Sequence, residues 1–136
     1  MKRLDHIGIA VRDLDAAVRT YEQGLGLVCS HRETVETEQV RTAFLPIGDT
    51  HLELLESLSP DGPIGRFLEK RGEGIHHLCF EVEDLDAALA RAKTEGLTPL
   101  GEPRLGAQGK RVVFLHPRGA RGVLIELCQR PGKQPS

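Results

Sequence analysis

The sequence predicts an α+β fold: two pseudo-symmetric βαβββ modules whose curved mixed sheets form one cup. Three observations predict it. The stretch "LDHIGIAVRDLDAAV" at 4–18 returns as "IHHLCFEVEDLDAAL" at 75–89, so that His6 falls on His77 and Asp13-Leu14-Asp15-Ala16-Ala17 on Asp84-Leu85-Asp86-Ala87-Ala88. Self-similarity of this kind marks one supersecondary unit used twice. Each copy then passes from an apolar, β-branched stretch into helical spacing and back into strand-like segments. Finally, each copy ends on a similar strand, "HLELLE" and "LIELCQ".

The elements follow in order. Strands are expected at 4–11 and 75–82. Asp13 and Asp84 sit where N-caps belong, their carboxylates placed to accept from free N–H groups of the next turn. Helical spacing follows in Leu14, Ala17, Val18 and Tyr21, and again in Leu85, Ala88, Leu89 and Ala92, with Gly24 and Gly96 as the expected stops. Further strands are expected at 27–33, 40–47 and 50–57, with "PIGD" as a tight turn, and at 98–102, 111–116 and 122–129, with "HPRGARG" before the last. Between the copies, "SPDGP" is a turn and "IGRFLEKRG" an amphipathic helix ending at Gly72. The organisation expected is one domain over 1–130, with modules at about 1–58 and 73–130, a linker helix at about 62–71, and a frayed polar tail at 131–136.

Bulk properties narrow the function. A chain of 136 residues with 39% hydrophobic and 28% charged residues can bury a real core. Its formal net charge of −2 lacks the Lys/Arg surplus that phosphate backbones require, so nucleic acid is not expected as a partner. No apolar run approaches the about 18 residues of a membrane span, and "MKRLDHIG" lacks a signal peptide's apolar segment. No membrane partner is therefore expected, and a cytoplasmic location is. Cys29, Cys79 and Cys128 are odd in number and widely spaced, and they read as reduced thiols.

Strand alternation carries the chemistry. Ile7, Ile9 and Val11 should face the helix, which sends His6, Gly8 and Ala10 to the other side. In the second copy Leu78, Phe80 and Val82 take the helix side and His77, Cys79 and Glu81 the other; His76 then falls on the wrong face to be the equivalent of His6. Leu52 and Leu54 flank Glu53, and Ile125 and Leu127 flank Glu126. Each module thus offers one His and one Glu away from its helix. A lone His or Glu in a strand is ordinarily structural, but a carboxylate set among aliphatic neighbours is costly unless compensated. Two imidazoles with two carboxylates suit a divalent first-row metal with a position or two left open. His51 shares a strand face with Glu53, where it could line the pocket, but reads rather as a strand-edge residue. His116 reads as a loop residue, and Cys79 and Cys128, two residues beyond His77 and Glu126, as small core fillers before cavity groups.

With "DHIGIAV", "ELLE", "GIHHLCFEV", "GKRVVFLHP" and "GVLIEL" spread over nearly the whole chain, the sequence resembles the vicinal oxygen chelate superfamily and, within it, the methylmalonyl-CoA epimerases. The resemblance implies metal ligands at His6, His77 and Glu126, and Glu53, where family members carry Gln or Glu, is expected as the fourth. The ion implied is divalent, cobalt foremost, with zinc, manganese or nickel also suited. The activity implied is epimerisation of methylmalonyl-CoA by removal and return of the α-proton, with Glu126 and Glu53 as the catalytic carboxylates. Some members carry a glutamate at the position of Thr42, where a hydroxyl cannot act as a carboxylate base; Glu38 in "ETVETEQ" is another candidate. Lys110, Arg111, Arg118 and Arg121 are candidates for the phosphates of an acyl-CoA, and a homodimer is implied. The alternatives are a lactoylglutathione lyase, against which "GIHH" and "FLHP" argue, a His/His/Glu iron dioxygenase, and a small-molecule-binding resistance protein of the same superfamily.

Overall fold

The computed structural model describes residues 1–132. Eight strands form one curled sheet: β1 Arg3–Ala10, β2 His31–Val35, β3 Val40–Ile47, β4 Thr50–Ser57, β5 Gly74–Glu81, β6 Arg104–Leu105, β7 Arg111–Leu115 and β8 Ile125–Gln129. Three α-helices accompany them, α1 Leu14–Leu25, α2 Pro63–Arg71 and α3 Leu85–Thr94. The order across the sheet is β2-β3-β4-β1-β5-β8-β7-β6. Each half repeats the other, β1 pairing parallel with β4 and β5 with β8, and the halves join through antiparallel β1 and β5 within one chain. The first strands of both modules therefore meet at the centre, flanked by their last strands.

Local chemistry accounts for most boundaries. Asp13 and Asp84 accept from Ala16 N and Ala87 N at 3.1 and 3.0 Å, capping α1 and α3. α1 runs through Gly24 and is capped by Gly26 instead, at φ 72°, a left-handed conformation that glycine adopts without a Cβ penalty. The strand expected at 98–102 is replaced by a single bridge between Pro99 and Leu115 and the short β6. Hydrogen bonds from Leu100 N to Phe114 O and from His116 N to Thr98 O flank that bridge at 2.8 and 2.7 Å, and the register then slips by two residues before Arg104 pairs with Val112. β2 begins later than expected, at His31, and β8 at Ile125. The tail expected to fray lies, from residue 133 onward, outside the described residues.

Two cores cover the convex face. Val11, Leu14 and Val18 pack on Ala43, Leu45 and Leu54 in the first half. In the second, Val82, Leu85, Leu89 and Ala92 pack on Val113, Leu115 and Leu127. A third cluster lies on the opposite, concave side, where Ile64 and Leu68 of α2 meet Ala10, Val35, Val40 and Leu55. The sheet's outer edges are also clasped. Glu38 takes two bonds from Arg104 at 2.6 and 2.9 Å, Thr37 donates to Leu105 O at 2.8 Å, and Glu33 accepts from Gln108 N at 3.1 Å. No helix is long and apolar enough to cross a membrane among the described residues.

Candidate metal centre

The concave face encloses a cavity of about 260 Å³, mostly apolar in its walls, with His6, Glu53, His77 and Glu126 among its lining. These four charged or titratable side chains are all buried. At the floor, three atoms converge: His6 Nε2 to His77 Nε2, His6 Nε2 to Glu126 Oε1, and His77 Nε2 to Glu126 Oε1 are each 3.1 Å. Glu126 Oε1 is nonetheless without a hydrogen-bond partner among the described residues, because the angles are wrong for one. Three potential metal-ligand atoms converge there.

Glu53 occupies the other edge of His6, its Oε2 at 2.9 Å from Nδ1, and accepts from His51 Nε2 at 2.8 Å. His51 therefore holds a carboxylate of the site rather than sitting idle at a strand edge. Being two residues from Glu53 on one strand, it shares that face. Nδ1 of His6 forms its hydrogen bond with Asp5 Oδ2 at 2.7 Å. Asp5 is fully buried and accepts two bonds from buried Lys110, at 2.9 and 3.0 Å. Lys110 is thus unavailable to a phosphate. Arg111 bonds Asp86 on α3, and neither Arg118 nor Arg121 lines the cavity.

Alternation missed Asp5 because the ladder is interrupted there. Leu4 pairs with Phe80 and His6 with Cys79, leaving Asp5 as the extra residue; Gly8 pairs with His77 and Ile9 with Ile75, leaving His76 as the extra one. These two irregularities lie at equivalent positions of the repeat. Bulges of this kind re-aim side chains. Hence Asp5 and His76 both reach the histidine that follows them, His76 Nδ1 lying 2.9 Å from His77 Nδ1. His76 is not on the opposite face, as regular alternation predicts; it lines the cavity and packs edge-on to Phe67 of α2. Burial and the neighbouring His77 depress its pKa to about 4, so it is neutral.

The electrostatics favour a cation. Burial would raise the pKa values of Asp5, Glu53 and Glu126, but the histidines and Lys110 around them override it, leaving Glu53 at about 2 and the other two lower still. Burial likewise works against a charged His6, yet the Glu53 carboxylate first, then Asp5 and Glu126, raise its pKa well above the ordinary value. Three buried carboxylates face the buried Lys110 ammonium and the charged His6 ring. Buried negative groups still outnumber positive ones, and a divalent ion in place of the His6 proton suits the site. The donor spacing agrees, with one ligand atom from each of His6, His77 and Glu126 lying 3.1 Å from the other two, close enough to share one ion. The residues present fit a metal held by His6, His77 and Glu126. Asp5 cannot join them as a ligand while Lys110 occupies both of its oxygens.

Cys79 and Cys128 are fully buried beside Val112, and all three cysteines are free. His116 accepts from Arg118 N in its turn at 3.0 Å. Thr42 lines the cavity with its Oγ1 buried and unpartnered among the described residues, while Glu38, also in the lining, is engaged by Arg104.

Residues 5–114 match the Glyoxalase/Bleomycin resistance protein/Dioxygenase superfamily. The chain belongs to this superfamily. Within it the chain is 45% identical over 130 residues to the ethylmalonyl-CoA/methylmalonyl-CoA epimerase of Cereibacter sphaeroides, covering 93% of this chain and 97% of that one. A solved methylmalonyl-CoA epimerase in complex with methylmalonyl-CoA and NH4+ superposes with a TM-score of 0.93 at 42% identity, over 97% and 96% of the two chains. The epimerase from Mycobacterium tuberculosis gives 0.90 at 38% identity, over 96% and 89%. The glyoxalase-superfamily fold and the likeness to its epimerases, drawn above from motifs, both hold.

Proposed function

We propose that this chain epimerises methylmalonyl-CoA, using a divalent metal held by His6, His77 and Glu126. The observation that carries this reading is the buried triangle of donor atoms at the floor of an acyl-sized cavity, in a chain similar along its length to methylmalonyl-CoA epimerases. The cavity's volume suits a small branched acyl group, so the CoA chain would extend out through its mouth. A bound divalent ion supplies Lewis-acid stabilisation of the charge that develops on the thioester oxygen.

The residues supply the proton chemistry. β4 and β8 lie on either side of the central β1–β5 pair, so Glu53 and Glu126 flank any substrate seated over the two histidines. Epimerisation takes a proton from one face and returns it to the other, which is what two flanking carboxylates can do. Both are held ionised in the metal-free site, and His51 orients Glu53. Thr42 has no proton-accepting role to play, and Glu38 is committed to Arg104.

The test follows methylmalonyl-CoA by NMR in deuterated solvent, with and without added cobalt, zinc, manganese or nickel, beside an assay of lactoylglutathione formation. Metal-stimulated inversion with deuterium at the α-carbon is expected. Lactoylglutathione turnover without inversion would overturn the reading. His77→Ala should abolish stoichiometric metal uptake and inversion together. Glu53→Gln should bind metal but invert ~10²–10⁴-fold more slowly while still exchanging the α-proton of one epimer, as loss of one of two bases requires.

A further inference from the structure

Asp5 and Lys110 form a buried ion pair that the proton chemistry above does not use. Asp5 comes from β1 of the first half and Lys110 from the residue before β7 of the second, 105 positions apart, yet Lys110 Nζ bonds both Asp5 oxygens at 2.9 and 3.0 Å. Both residues are over nine-tenths buried, at 0% and 6% exposure. The fold gives up a regular β1–β5 ladder to bring Asp5 inward.

We infer that Asp5, held by Lys110, is the positioning residue for His6, fixing its ring orientation and tautomer so that Nε2 presents a lone pair to the metal site. This rests on the metal reading proposed above. A carboxylate can only accept. With its Oδ2 at 2.7 Å from Nδ1, Asp5 places the proton of neutral His6 on Nδ1 and leaves Nε2 bare toward His77 and Glu126. Lys110 is what lets Asp5 do this from inside the protein. It is the buried counter-charge of this carboxylate, which half-buried Arg3 reaches only at 3.5 Å, and by engaging both oxygens it fixes the carboxylate plane. It also reserves Glu53 for the substrate: with Asp5 bonded to Nδ1, Glu53 makes only a close charge contact there, not a hydrogen bond. The second half carries a neutral counterpart, His76 at Nδ1 of His77. The two ligand histidines are therefore held by the same backbone device with different chemistry. Partners of this kind behind a ligating histidine typically contribute ~10–100-fold in metal affinity.

The experiment compares wild type, Asp5→Asn, and the double variant Asp5→Ala/Lys110→Met, which removes both charges together. Three readouts are taken: circular dichroism for folding, cobalt and zinc affinity by competition with a chelator, and the His6 tautomer from imidazole 15N shifts of metal-free protein at alkaline pH, where the ring is neutral. The wild type should show the Nδ1–H form. The double variant should fold, shift toward the Nε2–H form and bind metal ~10–100-fold more weakly. Asp5→Asn, which keeps one acceptor oxygen now shared with Lys110, should retain the Nδ1–H form and lose several-fold in affinity. A purely structural pair would lower the melting temperature and leave tautomer and affinity at wild-type values, which would overturn the proposal. Should the double variant not fold, wild-type affinity in Asp5→Asn would overturn it equally. A wild type that takes up no metal would sink the metal reading, and the tautomer would still decide the role of Asp5.

Discussion

The histidine pair depends on a residue that does no chemistry. Gly8 lies opposite His77 across the β1–β5 seam, and a Cβ built there would overlap the His77 ring. Its absence makes room for the imidazole to lie over the strand. Gly8→Ala should therefore leave helix and sheet content intact but push His77 out of the triangle, weakening metal binding by at least ~10-fold, comparable to loss of a supporting partner. Chelator competition on the folded variant checks it, and wild-type affinity would refute the steric argument. Gly8 could be read in advance as a small neighbour of His6. Asp5 and His76 could not be placed, because period-two alternation assigns adjacent residues to opposite faces and a bulge breaks that rule without leaving a mark in composition. Lys110 was equally opaque. Beside Arg111 it resembles a solvated basic pair, and only the folded chain shows that its partner lies 105 residues away.

The helices were the most readable elements. Asp13 and Asp84 are caps in fact as in pattern, and each should contribute about 1 kcal/mol. Asp13→Ala and Asp84→Ala are thus expected to lower the melting temperature by roughly 2–8 °C apiece, measured by thermal denaturation, with metal affinity unchanged because both caps sit on the convex side. Nearly additive effects are expected in the double variant, since the two helices pack in separate clusters. Helix ends and edge strands were read less well. α1 continues past Gly24 because a left-handed stop is available two residues later at Gly26. The strand expected near 98–102 is reduced to one bridge because the pairing register with β7 slips before Arg104, and the chain closes the sheet's edges with side chains, through Glu38 and Arg104. That clasp explains why Glu38, in the cavity lining, is held at the rim.

Across the molecule, the doubled pattern already implied two His and two Glu on one surface, and the sheet order delivers them: the first strands meet at the centre and the last strands flank them. What the pattern did not distinguish is that three of the four converge on one point while Glu53, expected as a fourth ligand, lines the cavity at the Nδ1 edge of His6. Metal should register in global stability. An ion that binds only the folded chain at 100 times its dissociation constant contributes about 2.7 kcal/mol. Chelator treatment should therefore lower the melting temperature of wild type, and cobalt or zinc should restore it. His77→Ala should show neither response; a shift that survives this substitution would place the ion elsewhere.

The helix between the two halves has no twin among the described residues. α2 connects the modules, yet its Pro63 and Ile64 also form part of the cavity wall. The duplicated parts supply the reactive groups, and they do so in a way that any doubled module of this kind could. The shape of the space in front of those groups is set in part by the one helix that was not duplicated. Substrate fit can therefore be altered from a segment that carries no reactive group, by changing the length or bulk of a connector while the donor atoms stay where they are. In a protein built by repetition, selectivity can be drawn from the part that is unique.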